Sequence, residues 1–266
     1  MDEGRRLYTV LTGDVVKSSE ASVRSRRVLL GTMQAAFDSV ERVFAPLESR
    51  FTIYRGDSFQ GVLADPLQGL HAALLLRASL RAGNHAASMS ESLDAYIAVG
   101  IGTNFFMPKG EETLGDGDAF RRSGRVLDTM KHERRLSAPS APESSGLVPS
   151  PDDEKNRRLA DALEGLKQER RLVIRTPWPK VDEEFDAGCA LLDGIASKWS
   201  REQAEVLALR LQGHTQSEIA SRLGISQPSV AARLKNAQAW AVGAFLQRYR
   251  AVVGAHIGTK GYDMQI

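Results

Sequence analysis

One cysteine, Cys189, occurs in 266 residues. A lone thiol excludes an internal disulfide framework and fits a reducing compartment. Cys189 falls in a helical pattern, where a packing role is expected. No stretch approaches the roughly 20 apolar residues that a membrane span needs. The opening residues Met1–Arg6 lead into a strand pattern and not into a signal-peptide core, so a cytoplasmic placement without membrane contact is expected. The five histidines are scattered and no Cys/His cluster has metal-ligand spacing, so there is no zinc signal, and none for haem or flavin. Net charge is also scarce, at +2 for the whole chain. It is unevenly spread. Residues 198–266 hold nine Lys or Arg and four Asp or Glu, which is +5 and leaves −3 for the rest. A basic end on a near-neutral chain fits phosphate contacts, though the modest excess predicts weak binding by one copy and favours a homodimer.

That basic end carries the most specific pattern. Ser200 with Gln203, and Thr215 with Glu218, have capping-box spacing. Gly213 ends the first predicted helix, and Gly224 supplies the turn after the second, where a positive φ is cheap only for glycine. Ser226 caps a third helix with Pro228 in its first turn, where no backbone donor is missed. Val230, Leu234 and Ala237 make one apolar stripe on that helix. Its opposite face offers Gln227, Ser229, Arg233 and Asn236, with Lys235 at the flank. With Thr215, Gln216 and Ser226 these are the candidate DNA contacts. Gln and Asn can pair with adenine, and Arg with guanine, in the major groove. A plain helical hairpin is the alternative, but the order of caps, glycine and proline is specific. Glu218–Ser226 resembles the helix-turn-helix of sigma-factor region 4 and LuxR-type regulators, which implies double-stranded DNA as a partner.

Upstream, the apolar run Leu7–Leu11 ends in Thr12, Gly13 and Asp14. Leu29, Met33, Phe37, Val40 and Phe44 then recur at helical steps. Two strand-like runs flank Arg55–Ser58, which has the composition of a hairpin tip. A helix after Pro66, a strand at Ala95–Val99 and a helix near Ala119 complete the order. This predicts an α+β domain, a palm or ferredoxin-like antiparallel sheet with helices on one face, followed by an all-α helix-turn-helix domain. The expected division is 1–178 and 179–266. A flexible loop is expected at about 132–156, where Ser, Pro, Ala and Glu dominate. A helix is expected at 157–168, a last strand at Leu172–Arg175, and Trp178, between two prolines, is expected to dock.

The two Gly-Asp pairs are the second functional signal. If their strands are neighbours, Asp14 and Asp57 reach one edge of the sheet, where a divalent cation relieves their repulsion. Mg²⁺ or Mn²⁺ is commonly held by one or two carboxylates together with nucleotide phosphates. Gly13 and Gly56 would let a phosphate approach the backbone, and Lys17, Arg55, Arg121 and Arg122 could balance its charge. The bland alternative is that Gly-Asp is a common turn pair. Asp116 and Asp118 read first as turn residues at a helix start.

The blocks Thr12–Ser18, Arg55–Val62, Gly100–Thr103 and Gly115–Phe120 resemble successive blocks of the SatD family, some members of which also carry a C-terminal helix-turn-helix. A more distant resemblance links the first domain to nucleotidyl cyclases and GGDEF-type palms, and implies metal binding by the counterparts of Asp14 and Asp57. The sequence departs at Ser58, where GGDEF-type palms and many SatD-like sequences have an acid; class III cyclases need none there. Three functions follow as expectations: a DNA-binding regulator with a nucleotide-binding, metal-binding or dimerising first domain; a metal-dependent cyclase or nucleotidyltransferase localised by its helix-turn-helix; or a partner-binding structural protein.

Overall fold

Side-chain alternation decides how the sheet is covered. The computed structural model describes residues 6–16, 23–45, 51–83, 93–103, 115–136 and 170–259. Strand β1 (Tyr8–Val15) is central, with β3 (Ser58–Leu63) antiparallel on one side and β4 (Ala95–Gly102) antiparallel on the other. Strand β2 (Thr52–Arg55) forms a hairpin with β3 at one edge. Strand β5 (Leu172–Arg175) closes the other edge, giving the order β2-β3-β1-β4-β5. The first four strands follow the split βαββαβ layout.

Two features of the sheet differ from the sequence expectation, although the α+β class holds. First, β5 runs parallel to β4, so the sheet is mixed. Second, helices cover both faces. Leu7, just ahead of β1, and Leu11 and Val15 within it point into the main core with α1 (Val23–Val43) and α2 (Gly69–Ala82), the latter preceded by a 3₁₀ turn at Pro66–Gln68. Tyr8 and Val10, on the alternate positions, pack with Ala119 and Phe120 of α3 (Asp118–Leu136). Further along α3, Leu127 and Met130 pack on Tyr96, Ala98 and Val173. A period of two with apolar residues on both sides of the strand requires two covers. Gly100 and Gly102 allow the close approach: a Cβ on Gly100 would lie 2.3 Å from the Ala119 carbonyl oxygen. The predicted loop begins later than expected, because α3 continues to Leu136. The rest of that loop and the predicted helix at 157–168 lie outside the described residues.

Five helices follow: α4 (Pro179–Ala196), α5 (Arg201–Leu211), α6 (Gln216–Leu223), α7 (Gln227–Asn236) and α8 (Ala239–Thr259). Residue 178 marks no break in the packing. Trp178, Phe185, Cys189, Leu192, Trp199, Leu207, Val242 and Tyr249 belong to the same buried cluster as α1, α2 and the sheet. Trp178 is 4% exposed, its ring 4.8 Å from that of His256. Cys189 is fully buried, and burial pushes its thiol pKa well up, as an inert packing residue requires. Polar ties also cross the junction. The Tyr249 hydroxyl donates to the Pro66 carbonyl at 2.7 Å, and His71 Nε2 lies 2.8 Å from the carbonyl oxygen of Leu211.

A buried ion cluster sits at this junction. Arg77 has no exposed surface and pairs with both Asp94 and Asp193. Asp193 also accepts from the backbone of Arg171 and Leu172, tying α4 to β5. Arg81 donates to Asp94 and to the carbonyls of Ser197 and Trp199, just ahead of α5. Burial opposes charge on Asp94, but Arg77, Arg171 and Arg81 outweigh it and hold its pKa down at about 2.

Candidate nucleic-acid interface and carboxylate pair

Helices α5, α6 and α7 form a small core of their own from Val206, Ile219, Ala220, Val230 and Leu234. The caps are those their sequence demands. Both capping boxes are present, with the Ser200 and Thr215 side chains accepting from the backbone of Gln203 and Glu218. Gly224 closes α6 at φ 64°, and Ile225 beyond it packs against the small core. The Ser226 side chain accepts from the Ser229 backbone at the start of α7. At its far end the Trp199 indole donates to the Ala237 carbonyl at 2.9 Å, fixing α7 to the entry of α5.

The face of α7 opposite Val230 and Leu234 is open. Ser226, Gln227, Ser229, Lys235 and Asn236 are exposed, as is Thr215; Gln216 and Arg233 are half-buried. Arg233 lies close enough to Glu202 to lower that acid's pKa, behind the acid's own backbone hydrogen bond and its bond to Ser200. The outer face thus combines amide, hydroxyl, guanidinium and ammonium groups with no acid among them. That is the composition a groove lined by phosphates and base edges accepts.

At the end of the sheet where β1 runs out, the structure brings Asp14 and Asp57 together. Asp14 is the register partner of Ser58, and Asp57 sits in the β2–β3 turn, its carbonyl accepting from the Val15 backbone at 3.1 Å. Burial raises the Asp57 pKa, and the neighbouring charge of Asp14 raises it further; its own backbone hydrogen bond, Lys131 and Arg26 act the other way. Ser58 Oγ donates to Asp14 Oδ1 at 2.6 Å, and Lys131 Nζ lies 3.2 Å from the same oxygen.

The other predicted phosphate ligands separate. Gly56 is in the turn at φ 69°, with Arg26 above it. Gly13 does not open the backbone to a ligand beside Asp14: it faces the opposite side of the sheet, where a Cβ would meet the Phe59 ring at 2.2 Å. Arg121 and Arg122 start α3 at the other end, where Tyr8 pairs with Gly102. That is about 20 Å away along six residues of strand. There Arg121 is paired with Asp116 and Asp118, and Arg122 donates to the Ile101 carbonyl. The Arg55 side chain and Lys17 lie outside the described residues. Among the described residues, Lys131 and Arg26 are the cations nearest the pair, and neither has a local sequence signal.

As donors, two carboxylates offer hard oxygens that suit Mg²⁺ or Mn²⁺. No group of three or more metal-ligating side chains occurs among the described residues. The set therefore fits one cation shared with phosphate oxygens, and does not fit a self-sufficient cage. Among the described residues no helix is long and apolar enough to cross a membrane.

Residues 199–238 match the family model of sigma-70 region 4. The class these features define is a protein carrying a sigma-70 region 4 helix-turn-helix behind a five-stranded mixed sheet domain. No curated protein matches the chain. Among solved structures, the catalytic core of a rhodopsin-guanylyl cyclase with converted specificity, in complex with ATPalphaS, is similar at 18% identity, covering 48% of this chain and 76% of that one with a TM-score of 0.37. At that TM-score nothing carries over to the carboxylate pair.

Proposed function

We propose that this protein is a cytoplasmic DNA-binding regulator of the SatD family that reads double-stranded DNA with α7. The sheet domain holds a nucleotide phosphate and a divalent cation at Asp14 and Asp57. The observation that carries the DNA reading is the open, acid-free outer face of α7 on a fully capped three-helix unit. In this reading Gln227 and Ser229 enter first and contact base edges, while Arg233, Lys235 and Asn236 reach bases or phosphates further along. Thr215, Gln216 and Ser226 hold the phosphate backbone. A homodimer doubles the contacts and offsets the small charge excess.

The test is selection of bound duplexes from a random pool, followed by anisotropy titration of the selected and scrambled duplexes. Preference for the selected duplex, lost in Gln227→Ala and Arg233→Ala by roughly 1–3 kcal/mol each, is expected. Equal affinity for all duplexes in every variant would remove the regulator reading. A second reading is supported by the convergence of Asp14 and Asp57: a metal-dependent nucleotidyl cyclase or nucleotidyltransferase localised by its helix-turn-helix. Incubation with the four nucleoside triphosphates and Mn²⁺ tests it. Product formation lost in Asp14→Asn supports this reading, and absence of product removes it.

A further inference from the structure

We infer that Lys131 is the built-in counter-ion of the Asp14–Asp57 pair and competes with the divalent cation for it. This rests on the reading that the two carboxylates hold a cation. Leu127 and Met130, in the second half of α3, pack against Tyr96, Ala98 and Val173, so the next residue is delivered to the strand end where Asp14 lies. The ammonium is 3.2 Å from Asp14 Oδ1, with the two side chains 33% and 19% exposed. The Ser58 hydroxyl donates to that same oxygen. Oδ1 is thus engaged by two donors, one of them a full positive charge. Arg26 adds a second positive charge beside Asp57. Among the described residues, Lys131 and Arg26 thus set two positive charges against the two acids. A cation arriving at Asp14 must displace the ammonium or endure its repulsion in a partly desolvated site, where like charges a few ångströms apart interact more strongly than in water. Lysine suits this role, because its point charge rides on a flexible stem and can swing away.

The experiment is a titration of Mn²⁺ alone into the full chain, followed by electron paramagnetic resonance. Wild type, Lys131→Met, Lys131→Arg, Asp14→Asn and the Lys131→Met/Asp14→Asn double variant are compared, with melting curves to verify folding. Lys131→Met is expected to bind Mn²⁺ at least about tenfold more tightly than wild type. Lys131→Arg should stay near wild type, and both Asp14→Asn chains should lose the site. Equal affinity of wild type and Lys131→Met, with loss in Asp14→Asn, would overturn the competition while leaving the metal reading intact. Failure of folded Lys131→Met to bind Mn²⁺, or binding indifferent to Asp14→Asn, would overturn both.

Discussion

Gly13 and Asp14 are neighbours in the chain and serve opposite faces of the sheet. As a pair in the sequence they read as one ligand-binding turn, yet glycine is required at 13 by the Phe59 ring and the Tyr96 carbonyl. Gly13→Ala is therefore expected to destabilise the fold by about 1–3 kcal/mol, as overpacking does, read from the urea midpoint. If folded, it should leave the Mn²⁺ affinity of Asp14 nearly unchanged. Asp94 gives a second prediction at this scale. Its folded pKa of about 2 lies below its ordinary value of 3.8. The sign follows from that depression: the contribution to stability is full above about pH 4 and is lost as pH falls through 2. Its size is about 2 kcal/mol. Urea unfolding of wild type across that window should show this loss, and a folded Asp94→Asn should lack it. Neither Asp94 nor Lys131 was legible beforehand. Their partners lie 17 and 117 positions away, and no local rule links such distances.

Single elements were far more legible, because caps and turns are local chemistry. Ser200, Thr215, Ser226 and Gly224 each act within four residues of themselves, so the boundaries of α5, α6 and α7 were readable before the fold was known. Thr215→Ala removes the acceptor for the Glu218 backbone and should cost about 1 kcal/mol of stability. Thr215→Ser should restore most of it, as measured by thermal melting. Gly224→Ala forces a side chain into the left-handed region and should cost about 1 kcal/mol as well. The covers of the sheet were less legible. Strands with apolar residues on both sides of the alternation mark two-sided burial, but β1 also carries Thr9, Thr12 and Asp14, which obscure that pattern. The parallel direction of β5 against β4 is likewise something no periodicity reports.

Across the whole molecule, the three-helix unit is joined to the sheet domain by a shared core and by the Arg77 cluster. Arg77→Met would leave Asp94 and Asp193 buried with less compensation, and a loss of about 3–5 kcal/mol is expected, measured by chemical unfolding. One cooperative transition reported equally by Trp178 and by Trp199, both buried, would follow from the shared core; two separate transitions would contradict it. Duplex affinity should also fall steeply with salt, since phosphate contacts release counterions.

The sequence by itself determined the local architecture: the caps of α5, α6 and α7, the polar face of α7, the five strands and the turn at Gly56 and Asp57, whereas Gly13 and Asp14, read as a turn, lie inside β1. Those follow from backbone chemistry over a few residues. Only the tertiary structure decided that α3 lies across the second face of the sheet, that Arg121 and Arg122 stand far from Asp14, and that Lys131 reaches it. These depend on long-range packing and charge pairing, which chain order leaves open until the elements are placed in space.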